Sequence, residues 1–152
     1  MKIRRYFLFA FAAVTIAFTQ GCDLEGSDNG DLDGMWQMES VDTLATGGHA
    51  DMRYTGRIWS FQGKLAELRT AGVENNFKTY PFVCKFQLEG DQLQMGEFLL
   101  AYREEGDPKV EDVEQLKPYG INALTEQFQI VTINKGTMVL QSSLLRLNFR
   151  KY

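Results

Sequence analysis

The sequence predicts an all-β domain, an antiparallel barrel or sandwich. Three observations carry that reading. From Gly34 onward, apolar and polar residues alternate with period two over short stretches, the pattern of strands with one buried face. Turn signals separate several of those stretches, at Gln62-Gly63, Gly90-Asp91 and Lys135-Gly136. The stretches number about eight or nine, and that many short strands joined mostly by tight turns fit a barrel or a sandwich.

In chain order, Gly34 begins the first stretch: Trp36, Met38 and Ser40 share one face, and Gln37, Glu39 and Val41 the other. Asp42 to Asp51, with Thr43, Thr46, Gly47, Gly48 and His49, breaks the pattern and reads as a long loop. Tyr54 to Phe61 places Arg57, Trp59 and Phe61 on one side, and after Gln62-Gly63 the partner strand of a hairpin runs from Lys64 to Thr70. Phe77 to Glu89 has the cleanest alternation, with Tyr80, Phe82, Cys84, Phe86 and Leu88 together. Gln92 to Met95 resumes with Leu93 and Met95 facing one way, and Phe98 to Arg103 is a short, nearly continuous apolar strand. Asp107 to Tyr119 departs from period two. Asp107 is placed to N-cap a short helix with Pro108 at its first position, Val110, Val113 and Leu116 give it an apolar stripe, and Pro118 stops it. Gln127 to Asn134 alternates less strictly, Thr137 to Gln141 follows, and Leu144 to Lys151 ends with Leu145, Leu147 and Phe149 on one face.

The first 33 residues differ from the rest. Lys2, Arg4 and Arg5 precede an apolar run from Tyr6 to Phe18, and Gly21 stands directly before Cys22. A basic start, a short apolar run and a small-residue junction make a secretory signal, and the run is shorter than the roughly 18 residues a membrane span needs. Phe18-Thr19-Gln20-Gly21-Cys22 resembles the lipobox of bacterial lipoproteins, with Thr19 where that family usually has an aliphatic residue. The resemblance implies cleavage after residue 21, lipidation of Cys22, and membrane attachment through that lipid. Residues 22–33 then read as a flexible acidic tether, because Leu24 and Leu32 alone among them are large and apolar. Its interspersed acids, Asp23, Glu25, Asp28, Asp31 and Asp33, are similar to the surface-export signals of Bacteroidetes lipoproteins. A solvated spacer is the simpler account.

Cleavage leaves 131 of the 152 residues, about one domain, with residues 34–152 able to bury a core without disulfide staples. Loss of Lys2, Arg4 and Arg5 takes the formal charge from −4 to −7. An acidic chain gives nucleic-acid binding little electrostatic support. Of the two cysteines, Cys22 is assigned to lipid, and Cys84, on the apolar face of its strand, is expected to be a buried free thiol.

The domain opens Leu32-Asp33-Gly34-Met35-Trp36 and ends Leu144-Leu145-Arg146-Leu147-Asn148-Phe149-Arg150. Gly-x-Trp on the first strand and an arginine on the last are similar to lipocalins. With the lipobox and the strand count, the whole resembles the small lipocalin-like lipoproteins of Bacteroides and its relatives. The resemblance implies an antiparallel barrel of about eight strands with one short helix. It places Gly34 and Trp36 at the closed end, with Arg146 or Arg150 over the indole.

Few residues suggest chemistry. His49 is the single histidine, no cysteine or histidine cluster makes a metal set, and no Gly-x-Ser-x-Gly or phosphate-cradling glycine loop is present. No cofactor or metal is expected. The acid pairs Glu104-Glu105 and Glu111-Asp112 fall in the most polar segment. Arg57 and Arg69 interrupt strands, and Arg57 shares its face with Trp59 and Phe61: a buried guanidinium there needs a partner or an anionic ligand, and an outward arginine on an edge strand is the equal alternative. Arg57, Trp59 and Tyr80 are the candidate ligand-binding residues. The expected function is a non-catalytic binding module in the cell envelope, at the outer membrane, on its periplasmic face or the cell surface. It would take a small apolar ligand or an envelope protein. The alternatives are a structural subunit with a filled barrel and an envelope hydrolase using acids in 104–114.

Overall fold

The alternating stretches become nine strands among the described residues, 27–72 and 80–152 of the computed structural model. The expected leader (1–21), Cys22, the tether up to Gly26, and Phe77 lie outside the described residues. The strands are β1 (Gly34–Thr43), β2 (Gly48–Asp51), β3 (Arg57–Gln62), β4 (Leu65–Thr70), β5 (Phe82–Glu89), β6 (Gln92–Leu100), β7 (Thr125–Ile133), β8 (Thr137–Gln141) and β9 (Leu145–Lys151). All neighbours are antiparallel, and β9 returns to β1, from Trp36 opposite Lys151 to Thr43 opposite Leu145. β1 pairs with β3 through its first half and with β2 through its second. The described residues thus close an eight-stranded barrel of β1 and β3 to β9, with β2 as a hairpin arm on β1.

Three register shifts mark where alternation weakens in the sequence. On β1, Glu39 is an extra residue between Met38, opposite Phe149, and Ser40, opposite Asn148. A bulge of this kind reverses the facing of the residues beyond it. Val41 therefore packs on the core, and Ser40, expected on the Trp36 face, instead accepts a hydrogen bond from Asn148 Nδ2 at 3.0 Å. On β6, Glu97 and Phe98 stand where β5 has Cys84 alone, and Glu97 takes φ 55°. The two apolar stretches expected at 92–95 and 98–103 are thereby one strand, with Phe98 returned to the interior. On β7, Val131 is the extra residue and is 43% exposed.

Other boundaries differ from expectation. The loop expected from Asp42 to Asp51 is a hairpin, closed by Gly47 N–H donating to Thr43 O at 2.8 Å. Gly47 has φ 68°, which glycine adopts without a steric penalty. β3 begins at Arg57, and Tyr54 sits in the preceding turn, 92% exposed. Helical structure between 107 and 119 is two single 3-10 turns, Val113–Gln115 and Lys117–Tyr119. Asp112 caps the first by accepting from Glu114 N–H, a role expected of Asp107.

Inward side chains fill the barrel, as an interior of this size permits. Trp36, Met38, Trp59, Phe61, Leu68 and Phe128 are among those at most 2% exposed. Cys84 is a buried free thiol whose pKa burial pushes up to about 12. At one end, a 3-10 turn, Gly30–Leu32, lays Leu32 across the base. Trp36 Nε1–H donates to Leu32 O at 2.7 Å, so the buried indole has its acceptor. The cation over the indole is Lys151, not Arg146 or Arg150: Nζ lies 4.1 Å from the ring centroid and donates to the carbonyls of Asp31 and Asp33. Arg150 points outward to Gln37 and Glu39, and Arg146 stands opposite Asp42, because the parity of β9 places 147, 149 and 151 toward Trp36. Gly34 makes room for this cation, since a Cβ there would lie 3.1 Å from Lys151 Cε.

Two predictions arise from this packing. Trp36→Ala should destabilise the fold by about 3–5 kcal/mol, from lost transfer energy and the cavity left behind. Chemical denaturation measures it, and a loss below about 1 kcal/mol, the range of a surface change, contradicts a packed Trp36. A thiol-reactive dye should label Cys84 in the Cys22→Ser variant slowly under native conditions and at once after denaturation; rapid native labelling would reject burial of the thiol.

Candidate functional site at the barrel mouth

The opposite end is the mouth. There β3 begins, β4 ends, and the long connection from β6 to β7, residues 101–124, crosses the opening. Val110, Leu116, Tyr119, Gly120 and Ile121 of that connection are buried. Gly120 has φ 81°, and a Cβ on it would lie 2.8 Å from Leu147 Cδ2. The missing side chain is what lets the segment sit this deep.

Below it lies Arg57, placed inward by its parity with Trp59 and Phe61. Its guanidinium carbon is 4.8 Å from the centroid of the Tyr119 ring, and Nη1 donates to Thr70 Oγ1, directly across the β3–β4 pair. Thr70 Oγ1 and Tyr119 Oη are 3.0 Å apart. Phe82 meets the Tyr119 ring edge-on at 5.8 Å. Tyr119 is thus held by a cation, a hydroxyl and an aromatic edge.

Arg57 Nε and Trp59 Nε1 are buried and have no hydrogen-bond partner among the described residues. A buried donor without an acceptor is uncommon, because it forfeits its bonds to water. Here two stand two residues apart on one inward face. Trp59 is ringed by Phe149, Phe128 and Phe61 at centroid distances of 5.1, 5.7 and 6.1 Å. Two donors surrounded by aromatic walls suit a molecule with an acceptor group and an apolar body.

Of the candidate ligand-binding residues, Arg57 and Trp59 come together on β3. Tyr80 is at the mouth but apart from them, stacked on Tyr102 at 4.4 Å. Tyr102 Oη in turn donates to Glu104 Oε2 at 3.1 Å, which raises the Tyr102 pKa. Arg69 faces outward, beside Glu67 and Met35. His49 is exposed on β2 and bonds to Asp42 at 2.6 Å, which lowers the Asp42 pKa. Glu104, Glu105, Glu111 and Asp112 are all exposed on the mouth connection. Sequence reading missed Thr70 and Tyr119. The available signal was Pro118-Tyr119-Gly120, an aromatic between two turn residues in an otherwise polar segment.

Among the described residues no group of three or more His, Cys, Asp or Glu could hold a metal ion, and no helix is long and apolar enough to cross a membrane. A groove of about 640 Å³ runs along the outer wall past Lys64, Lys85, Gly96 and Glu97. Lys85 and Glu97 pair across it at 2.8 Å.

Comparison with known proteins agrees with this architecture. A search of curated proteins finds no match. A lipocalin-like protein from Bacteroides uniformis superposes with a TM-score of 0.59 at 17% identity, over 81% of this chain and 100% of that one. An uncharacterized protein from Bacteroides eggerthii gives 0.56 at 12% identity, over 80% and 99%. These likenesses are of fold. The lipocalin-like domain family matches residues 16–152, nearly the whole chain, so the protein belongs to the lipocalin-like domain family.

Proposed function

We propose that the protein is a lipid-anchored binding module of the cell envelope, taking a small ligand with an apolar body and an acceptor group into the mouth of its barrel. The observation that carries this is the pair of unpartnered buried donors, Arg57 Nε and Trp59 Nε1. An acceptor supplied by a ligand would restore the bonds both lose on burial. The aromatic rings around Trp59 supply the apolar wall. The family's barrel, filled by its own side chains at the base, leaves the mouth as the end where a ligand has polar groups to meet.

Attachment through acylated Cys22 is the second half of the proposal. Its support is the basic start, the apolar run and Gly21-Cys22. The chain reaches the barrel at Gly30–Leu32, on the closed base, so the anchor proposed at Cys22 attaches at the end opposite the mouth. The location at the outer membrane, on either face, belongs to the same proposal.

Two measurements test these halves. Native mass spectrometry of the full chain released from detergent should show an adduct, and Arg57→Met with Trp59→Phe should lose it while retaining the fold. An adduct unchanged in that double variant would place the ligand elsewhere. Detergent-phase partitioning should be lost in Cys22→Ser, because each buried acyl CH₂ contributes about 0.8 kcal/mol and no other anchor is proposed. Equal partitioning of variant and wild type sinks the anchor.

A further inference from the structure

While the mouth connection is seated, its own side chains fill the mouth. Leu116 and Ile121 are fully buried, and Tyr119 occupies the space beside Arg57. Yet residues 111–121 are bonded chiefly to themselves. Leu116 N–H donates to Val113 O, Tyr119 N–H to Leu116 O, Gly120 N–H to Lys117 O, and Ile121 N–H to Leu116 O. Lys117 pairs with Glu114. Among the described residues, the bond between Tyr119 and Thr70 is the one that ties this segment to a barrel strand.

Its flanks are fastened differently. Before it, Val110 N–H donates to Phe98 O at 2.9 Å, and Leu100 N–H to Pro108 O at 2.9 Å. After it, Asn122 N–H donates to the buried Glu126 carboxylate at 2.7 Å. The segment is a self-bonded unit between two fixed posts, seated by apolar side chains and one tyrosine. Such a unit can lift without breaking the sheet's hydrogen bonds.

Resting on the binding role proposed above, we propose that residues 111–121 are a detachable plug, and that Tyr119 holds the place of the acidic head group of an organic-acid ligand. The ligand's carboxylate would take over the guanidinium of Arg57 and the hydroxyl of Thr70, and reach the indole N–H of Trp59. The plug then sets the ligand's apparent affinity, because only the fraction of molecules with the plug lifted can bind.

The test is stopped-flow binding of cis-parinaric acid, a fluorescent fatty acid, to the detergent-solubilised full chain, with its methyl ester as the uncharged control. In wild type the observed rate should level off as probe concentration rises, since plug opening limits it. Tyr119→Ala should remove the plateau and tighten binding by about tenfold. Tyr119→Phe, which keeps the ring and loses only the bond to Thr70, should raise the plateau by about threefold and serves if the alanine variant does not fold. The ester should bind more weakly than the acid, and Arg57→Met should abolish that difference. Binding with a linear rate that neither Tyr119 variant alters would overturn the plug while leaving the binding role in place. Equal affinity for acid and ester would overturn the acidic head group. Failure of wild type and both Tyr119 variants to bind either probe would remove the plug proposal together with the mouth site beneath it.

Discussion

The pairing of β1 with β9 is the constraint on which the rest depends. It converts a meander with two open edges into a barrel, and closure is the one arrangement that leaves no barrel edge to attract another chain. Closure also fixes the interior. Eight strands enclose a space that side chains can fill, and here Trp36, Trp59, Phe61 and Phe128 do so. The base is sealed from the same pairing: Lys151, opposite Trp36 on the closing strand, crosses the indole to reach the carbonyls of Asp31 and Asp33. One register thus sets the wall, the core and the floor.

That filling divides the molecule into two ends of different character. At the base every polar group named has its partner, with the Trp36 N–H on Leu32 and the Lys151 ammonium on two carbonyls. At the mouth Arg57 Nε is left over, with the Tyr119 ring of the loop segment over its guanidinium, and deeper on the same strand, opposite Trp36, so is Trp59 Nε1. The two tryptophans, opposite each other on β1 and β3, therefore differ in what their indoles meet. Trp36 has a satisfied indole in a sealed base, whereas Trp59 has an unsatisfied one among the rings of Phe61, Phe128 and Phe149.

Much of this architecture is legible in the residues, and the failures have one recurring cause. Period-two alternation reports facing only while the pleat is unbroken. It puts Arg57 on the face of Trp59 and Phe61 without deciding between an inward guanidinium and an outward one on an edge strand, and it identifies Cys84 as buried. It misassigns Ser40 and divides β6 because Glu39 and Glu97 are inserted residues, and a bulge resets parity without a compositional mark. The cation over Trp36 is Lys151, where the resemblance implies Arg146 or Arg150, since the parity of Leu147 and Phe149 continues to Lys151. Tyr119 escaped for another reason. It lies in a segment whose turns are set by Pro118 and Gly120, and what Tyr119 touches depends on how that segment lands on strands far away in sequence, which no local pattern records.

Closure has a further consequence, for the order in which the chain can fold. The contacts between β1 and β9 join residues more than a hundred positions apart, such as Asn148 and Ser40, which are separated by 108. The hairpins of β3 with β4, β5 with β6 and β7 with β8 can form locally, each across a short turn. The seam between first and last strands cannot, because its loop entropy must be overcome before any of its bonds contribute. Until that seam forms, β1 and β9 are both exposed edges, and the Lys151 side chain cannot lie over Trp36. An open meander with an unsealed base would present both edges to other chains, so closure of the seam and edge-to-edge association draw on the same unpaired backbone groups.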